Sequence, residues 1–422
     1  MTKTTPTATR HPNPTAYKFR LSGFLIGAQM LCVAFGALVL VPILTGLDPN
    51  VALFTSGLGT LAFQLVTGGK IPVYLASSFA FIAPITLSVE KYGLAATLSG
   101  LAAAGLVYLI LSIVIFWRGS GAIALVLPPV VTGPVIMVIG LSLAPIAVEM
   151  ASQAGDEYSA AIAILVATVS FLTTVLSAIL VRGFYRLLPI LFGIVAGYLI
   201  ALPLGLVDFS SIGAAPWLRI PSFVAPSFSL PAILLILPVA IAPAIEHIGD
   251  VLAISSVTNN DYLRDPGVHR TLLGDGLATT IAAFLGGPPN TTYSEVTGAV
   301  ALTKAFNPAI MTWAALMAIA LSFFGKLGAI LQTIPVPVMG GILIVLFGTI
   351  VIVGMQSTLA SAEALLQPRN IAIASSILIL GVGGVSINIG AFALEGIGLS
   401  SIVGVLLNLL LPKSRYDEIE NQ

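Results

Sequence analysis

The sequence predicts an all-α polytopic membrane protein of fourteen transmembrane segments arranged as a 7+7 inverted repeat, with short extended stretches in spans 3 and 10. Three observations lead there. The 422-residue chain is 57% hydrophobic and 8% charged, with a mean hydropathy of +1.07, whereas a soluble domain carries roughly 25% charged residues to keep its surface wet. Apolar runs of the length that crosses a bilayer as a helix, about 20 residues, recur along the whole chain. Two glycine- and proline-marked strings also recur in the same order in each half.

The apolar segments lie near 20–45, 51–67, 72–88, 94–116, 122–147, 159–181 and 187–206, then near 230–254, 271–286, 291–304, 308–325, 333–354, 369–386 and 394–411. The third and tenth are short. The positive charges test this count independently. With the N-terminus inside, fourteen of the seventeen Lys and Arg residues fall on the cytoplasmic side, and only Lys91, Arg219 and Lys326 fall outside. A miscounted span would scramble that bias.

The opening MTKTTPTATRHPNPTAYK is polar and is not followed by a short apolar segment with a cleavage site, so it reads as a cytoplasmic tail rather than a signal peptide. KSRYDEIENQ reads as a similar polar tail; with the charge bias, the expectation is a chain in the cytoplasmic (inner) membrane with both termini inside. The net charge of zero gives a nucleic-acid partner no electrostatic support. Cys32 is the only cysteine, so no intrachain disulfide framework exists, and its apolar surroundings suit a small core residue.

GLGTLAFQLVTGGKIPVYLASS carries Gly57, Gly59 and Pro72, and GDGLATTIAAFLGGPPNTTYSE carries Gly274, Gly276 and Pro289 at a constant offset of 217. PVVTGPVIMVIG and PVMGGILIVLFG repeat Pro129, Gly133 and Gly140 as Pro337, Gly341 and Gly348 at an offset of 208. Two matches in the same order argue for a repeat of seven spans. Seven is odd, so the second copy enters the membrane from the opposite side, as in secondary transporters. In both short spans a proline and a β-leaning stretch (Val73-Tyr74, Thr291-Thr292-Tyr293) precede small helical residues. Proline lacks the amide hydrogen and disfavours helix before it. Extended backbone followed by a half-helix results, and at membrane depth it is tolerated only when buried in protein or lining a cavity. Two half-helix N-termini then aim free amides at a common point.

LPVAIAPAIEHIGDVLAISS sets Glu246, His247 and Asp250 in a strongly apolar run. Four residues apart on a helix, Glu246 and Asp250 share a face, while His247 is rotated about 100° from Glu246. By the repeat offset, Glu295 corresponds to Ser78 at the start of the second half-helix. A carboxylate at mid-membrane costs roughly 2.5–3.5 kcal/mol on insertion scales, so three such acids burden the fold by about 8 kcal/mol unless paired, protonated or wetted. Each has a purely structural alternative: polar packing between helices for Glu246 and Glu295, a place near the cytoplasmic interface for Asp250, and a tautomer-fixing role for His247. The functional reading is that carboxyls held away from water carry a proton coupled to a substrate, and accept bonds from the ring N–H groups of a neutral heterocycle.

EHIGD, DPGVHRTLLGDGLATT, GGPPNTTYSE and IPVPVMGG resemble the uracil permease branch of the nucleobase–cation symporter-2 (nucleobase–ascorbate transporter) family. The resemblance runs from FGALVLVP to RNIAIASSILILGVGG, nearly the whole membrane region. It implies proton-coupled uptake of uracil, with H⁺ as coupling ion and no cofactor or metal, and homodimers in membrane lipid. It implies a core domain, 20–120 (spans 1–4) with 230–326 (spans 8–11), and a gate domain, 121–206 (spans 5–7) with 327–412 (spans 12–14). An outer loop at 207–229 and tails at 1–19 and 413–422 complete the chain. It places substrate-binding roles on Glu246 and Glu295, aromatic and backbone contacts on Phe79, Tyr293, Ser294 and Ala37, and proton coupling on Asp250, Glu246 and His247.

The chain departs from the branch's pattern at Gln29-Met30, where Gln-His is common. It departs again at Asp250, where the branch often has the histidine tied to proton coupling, at Ser294, where Gly is usual, and at Val296-Thr297, where Asn-Ile is usual. Aspartate at position 250 also occurs in purine and ascorbate branches, so a xanthine-type symporter is the alternative substrate class. A channel or uniporter suits the repeat but not the buried acids. An anion carrier of the same fold would be opposed by Glu246 and Glu295. No metal cluster or nucleophile–base spacing points to an enzyme, and the His and Asp of HRTLLGD read as neighbours of a cytoplasmic connector.

Overall fold

The computed structural model describes residues 15–119, 126–155, 158–359, 366–389 and 392–412. The tail expected at 413–422 and most of that at 1–19 lie outside the described residues. Helices α1 (Gly23–Thr45) and α2 (Pro49–Val66) lead into strand β1 (Leu75–Ser77), a 3-10 turn (Phe79–Phe81) and α3 (Ile82–Tyr92). Then come α4 (Leu94–Arg118), α5 (Pro129–Ser152), α6 (Ala160–Leu180), α7 (Pro189–Ala201) and the short α8 (Ser210–Ala214). The chain continues with α9 (Leu230–Ile236), α10 (Ile241–Thr258), α11 (Val268–Leu285), strand β2 (Asn290–Thr292), α12 (Ser294–Thr303) and α13 (Ala309–Ser322). It closes with α14 (Gly325–Gln332), α15 (Val336–Leu359), α16 (Pro368–Val382), β3 (Ser386–Ile389), β4 (Phe392–Glu395) and α17 (Gly396–Leu410).

Among the described residues, six helical stretches are long and apolar enough to cross a membrane: Gly23–Thr45, Leu94–Arg118, Pro129–Ser152, Ala160–Leu180, Leu230–Thr258 and Val336–Leu359. Their outer faces suit lipid: α4 exposes Leu106, Ile110, Ile113 and Val114 while burying Leu98, Leu101, Ala104 and Tyr108. Local chemistry sets the ends. Asp48 accepts from the Asn50 amide at 2.8 Å and Pro49 occupies the first turn of α2, where its missing N–H costs nothing. Gly46, at φ 72°, closes α1 in the left-handed conformation that glycine adopts without penalty.

Helices α1, α2, α4, α11 and α13 pack on one another, while α15 packs on α5, α6 and α7 and α16 packs on α5 and α17. Small residues permit the closest crossings. A Cβ on Gly276 of α11 would stand 2.9 Å from the Gly105 carbonyl oxygen of α4, and one on Gly354 of α15 would stand 2.7 Å from the Gly133 oxygen of α5.

The structure extends one of the expected spans and corrects another. The segment expected at 230–254 is helical through Thr258 and is interrupted by a 3-10 stretch at Leu237–Ala240, where Pro238 cannot donate to the preceding turn. The span expected at 369–386 ends at Val382, and β3 and β4 pair as an antiparallel hairpin before α17 begins at Gly396. Gly383 and Gly384, the latter at φ +70°, end the helix, and the alternating Ser386-Ile387-Asn388-Ile389 that follows has strand rather than helix periodicity.

Candidate functional site

Strands β1 and β2 pair antiparallel across the two halves of the chain, with Leu75 facing Thr292, Ala76 facing Thr291 and Ser77 facing Asn290. All six residues are buried, so their backbone groups must find partners inside the protein. The strands satisfy one another, and the Ser78 amide adds a bond to the Pro289 oxygen at 2.9 Å. Hydroxyls close the outer edges. Thr60 of α2 accepts from the Leu75 amide at 3.0 Å, Ser56 donates to the Leu75 oxygen at 2.5 Å, and Thr279 of α11 donates to the Asn290 oxygen at 2.8 Å. The Asn290 amide group donates to the Thr55 oxygen at 3.0 Å. A two-stranded element too small to stand alone is thereby seated between α2 and α11. The extended stretches expected in spans 3 and 10 are these two strands.

Each strand feeds a short helix. After β2 the chain turns through Tyr293 (φ −121°, ψ 110°) into α12, and no side chain caps that helix. The first amides of a helix have no intrahelical acceptor, and the Ser294 N–H has no hydrogen-bond partner among the described residues. Tyr293 and Phe79 are both nearly buried and their rings approach to 6.5 Å between centroids. Phe347 of α15 meets Phe79 edge-on at 5.9 Å. The Tyr293 hydroxyl lies by the backbone of Ala37 on α1 without an aligned hydrogen bond. Ala37, Phe79 and Tyr293 are thus brought together from three separate segments.

The acids divide into two kinds. Glu246 and Glu295 are part-buried, and their carboxyls take no side-chain hydrogen bond or ion pair from the described residues. Glu246 stands within electrostatic range of Asp250, Glu295 and Asp275. Asp250, 4% exposed, is fully engaged: Thr292 Oγ1 donates to its Oδ2 at 2.8 Å, and Ser294 Oγ donates to its Oδ1. His247 turns away from the glutamates, as its helical rotation predicts. Its Nδ1 lies 3.3 Å from Asp275 Oδ2 and 3.4 Å from Thr292 Oγ1, and its ring meets Phe63 at 6.2 Å.

Asp275 is completely buried on α11, which corrects its reading as part of a cytoplasmic connector. The signal was present in the sequence: Asp275 lies inside the apolar segment 271–286, where the penalty that singled out Glu246 applies equally. Phe347 carried no such signal, because one aromatic residue in an apolar span is ordinary core. Among the described residues no group of three or more His, Cys, Asp or Glu side chains could hold a metal ion.

Residues 21–390 match the Xan_ur_permease model, described as a permease family. The chain belongs to that family. A probable uracil permease of Pasteurella multocida is 54% identical over 395 residues, covering 94% of this chain and 95% of that protein. A uracil permease of Bacillus caldolyticus is 46% identical, covering 92% and 91%, and a putative pyrimidine permease of Escherichia coli K12 is 38% identical, covering 93% and 90%. These relatives are permeases and not enzymes. Among solved structures, the transmembrane domain of a cyanobacterial bicarbonate transporter superposes with a TM-score of 0.60 at 17% identity, covering 94% of the permease and 99% of that chain. SLC26A9 superposes at 0.66 and 13% identity, covering 93% and 66%. At such identities the likeness is one of fold. The permease is therefore a mostly helical, multi-pass membrane protein.

Proposed function

We propose that the protein takes up uracil by proton-coupled symport across the cytoplasmic membrane, working by alternating access. One observation carries the reading: two part-buried carboxyls with no side-chain partner among the described residues, Glu246 and Glu295, stand with the Phe79 and Tyr293 rings beside a helix start whose Ser294 amide has no partner among those residues. A neutral planar heterocycle with two ring N–H donors and carbonyl acceptors complements that set. Carboxylates accept the N–H groups, the free amide donates to a carbonyl, and aromatic faces cover the ring. The relatives named as uracil permeases support the same substrate.

Glu246, Asp250 and His247 are the proposed carriers of the coupling proton. A carboxyl in low dielectric is costly when charged and empty, so exchanging a proton in step with the substrate lowers that cost on each traverse. The fold likeness to a bicarbonate transporter does not favour anions here, because Glu246 and Glu295 would repel them.

The proposed architecture is fourteen spans in two inverted sets of seven, with the N- and C-termini cytoplasmic. In its support, the repeat offset of 217 maps Leu75 onto Thr292, and these two residues face each other in the antiparallel strand pair. A two-fold axis through that pair interchanges the strands and the short helices after them. The packing groups α1, α2, α4, α11, α13 and α5, α6, α7, α15, α16, α17 support a core domain moving against a gate domain at the Phe79–Phe347 contact. A homodimer in lipid is the proposed assembly.

The test is uptake of labelled uracil into proteoliposomes under an imposed inward proton gradient. Accumulation that collapses with a protonophore, and that uracil competes more strongly than xanthine, supports the reading. Uptake indifferent to the protonophore, or dependent on Na⁺ alone, refutes proton coupling, and stronger competition by xanthine refutes the pyrimidine assignment.

A further inference from the structure

Successive side chains of an extended chain point to opposite faces. At the end of β2, Thr292 and Ser294 therefore share one face and Tyr293 takes the other. Thr292 and Ser294 both donate to Asp250 of α10, while the Tyr293 ring turns to Phe79. The two oxygens of one buried carboxylate are thus occupied by the segment that presents Tyr293 and Glu295. The arrangement continues inward, since His247 Nδ1 lies 3.4 Å from the same Thr292 hydroxyl and 3.3 Å from Asp275.

The two glutamates stand at short, stiff distances from this junction. Glu246 precedes Asp250 by four residues on one helix, a rise of about 6 Å. Glu295 directly follows Ser294 in the first turn of α12. Asp250 and Ser294 are also two of the positions at which the chain departs from the pattern it resembles, and in space the two departures meet. A glycine at position 294 would have no hydroxyl, and Asp250 Oδ1 would lose its bond from α12.

We infer that Asp250 is a positioning residue: with Thr292 and Ser294 it ties α10 to the β2–α12 segment, and the tie sets the separation and orientation of Glu246 and Glu295. The inference rests on the reading of those glutamates as the acceptors of the substrate. Its action is separable from proton coupling, because the Thr292 and Ser294 hydroxyls do not titrate in the working range of the protein.

Thr292→Val and Ser294→Ala, singly and together, leave every carboxyl and imidazole in place. Calorimetry with uracil on the purified full-length protein, beside a thermal melt of each variant, separates positioning from stability. The double variant is expected to bind uracil roughly 10- to 100-fold more weakly, as misplacement of reacting or binding groups by about 1 Å does elsewhere. Thr292→Ser, which restores a hydroxyl, is expected to bind within about twofold of the parent. If the double variant is not recovered folded, the single variants carry the same comparison. A parent-like dissociation constant in the hydroxyl-free variants, whether or not they melt earlier, overturns the tie. A parent-like constant in both Glu246→Gln and Glu295→Gln instead overturns the substrate site beneath it.

Discussion

Replacing Glu246 by glutamine pulls binding and stability in different directions, and the structure sets both signs. The Glu246 carboxyl makes no side-chain hydrogen bond or ion pair with the described residues, and its electrostatic neighbours are the acids Asp250, Glu295 and Asp275. The substitution therefore removes no protein–protein bond and takes one acid out of an acidic cluster. The thermal midpoint is expected to stay at the parent value or rise. Binding is expected to suffer, because the amide nitrogen offers a donor where the ring N–H of uracil needs an acceptor. A hydrogen bond to a charged group contributes about 1.5–3 kcal/mol, which is a weakening of roughly 10- to 150-fold at 1.4 kcal/mol per tenfold. Calorimetry with uracil and a melt on the same preparation report the two quantities. A midpoint lowered by about 1 °C per kcal/mol lost, the shift expected at roughly 2.1 cal/mol/K per residue for a chain of 422 residues, with uracil affinity unchanged, would show that Glu246 supports the fold and not the substrate.

Glu295→Gln is expected to weaken uracil by a comparable roughly tenfold or more in the same assay, with Asp250 still bonded to Thr292 and Ser294. Asn290→Ala removes the donor to the buried Thr55 oxygen and should cost about 1–3 kcal/mol of stability, read as an earlier melt. Gly354→Ala drives a Cβ to within 2.6 Å of the Met137 nitrogen and 2.7 Å of the Gly133 oxygen. The α5–α15 crossing must then open, at about 1–3 kcal/mol, and an unchanged midpoint would refute that crossing. Arg219 pairs with Asp48 at 2.5 Å, the two side chains being 35% and 15% exposed. Arg219→Ala is expected to lower stability by no more than about 1 kcal/mol, and by less in high salt, as melts at two ionic strengths would report.

Much of the site was legible because its signals are local. Pro72 and Pro289 each precede a β-leaning stretch, and proline restricts its neighbours wherever the chain goes, so extended backbone is expected at Val73-Tyr74 and Thr291-Thr292-Tyr293; the strands form just after the first, at Leu75–Ser77, and overlap the second, at Asn290–Thr292. The shared face of Glu246 and Asp250, and the rotation of His247 by about 100° from Glu246, follow from helical geometry alone. The apolar runs were equally legible, since a membrane-spanning helix must satisfy its own backbone. Their limits were less so: hydropathy does not distinguish the end of a helix from a hairpin strand, so the span expected at 369–386 overruns the helix end at Val382 and the hairpin β3–β4, which falls mostly between that span and the next, was not expected.

By itself, then, the sequence determined a multi-pass membrane chain, its family, the two extended interruptions and the acids that a membrane interior penalises. Tertiary structure alone decided which acids are engaged and which are free. Asp250 is closed by hydroxyls from a segment more than 40 positions away, and Asp275 becomes the neighbour of His247 only when α10 and α11 pack. Phe347 of α15 meets Phe79 of the 3-10 turn before α3, a residue far away in the chain. Composition and periodicity report the solvent each residue prefers. They carry no record of which polar groups from distant segments arrive at the same place, because that depends on how the helices cross.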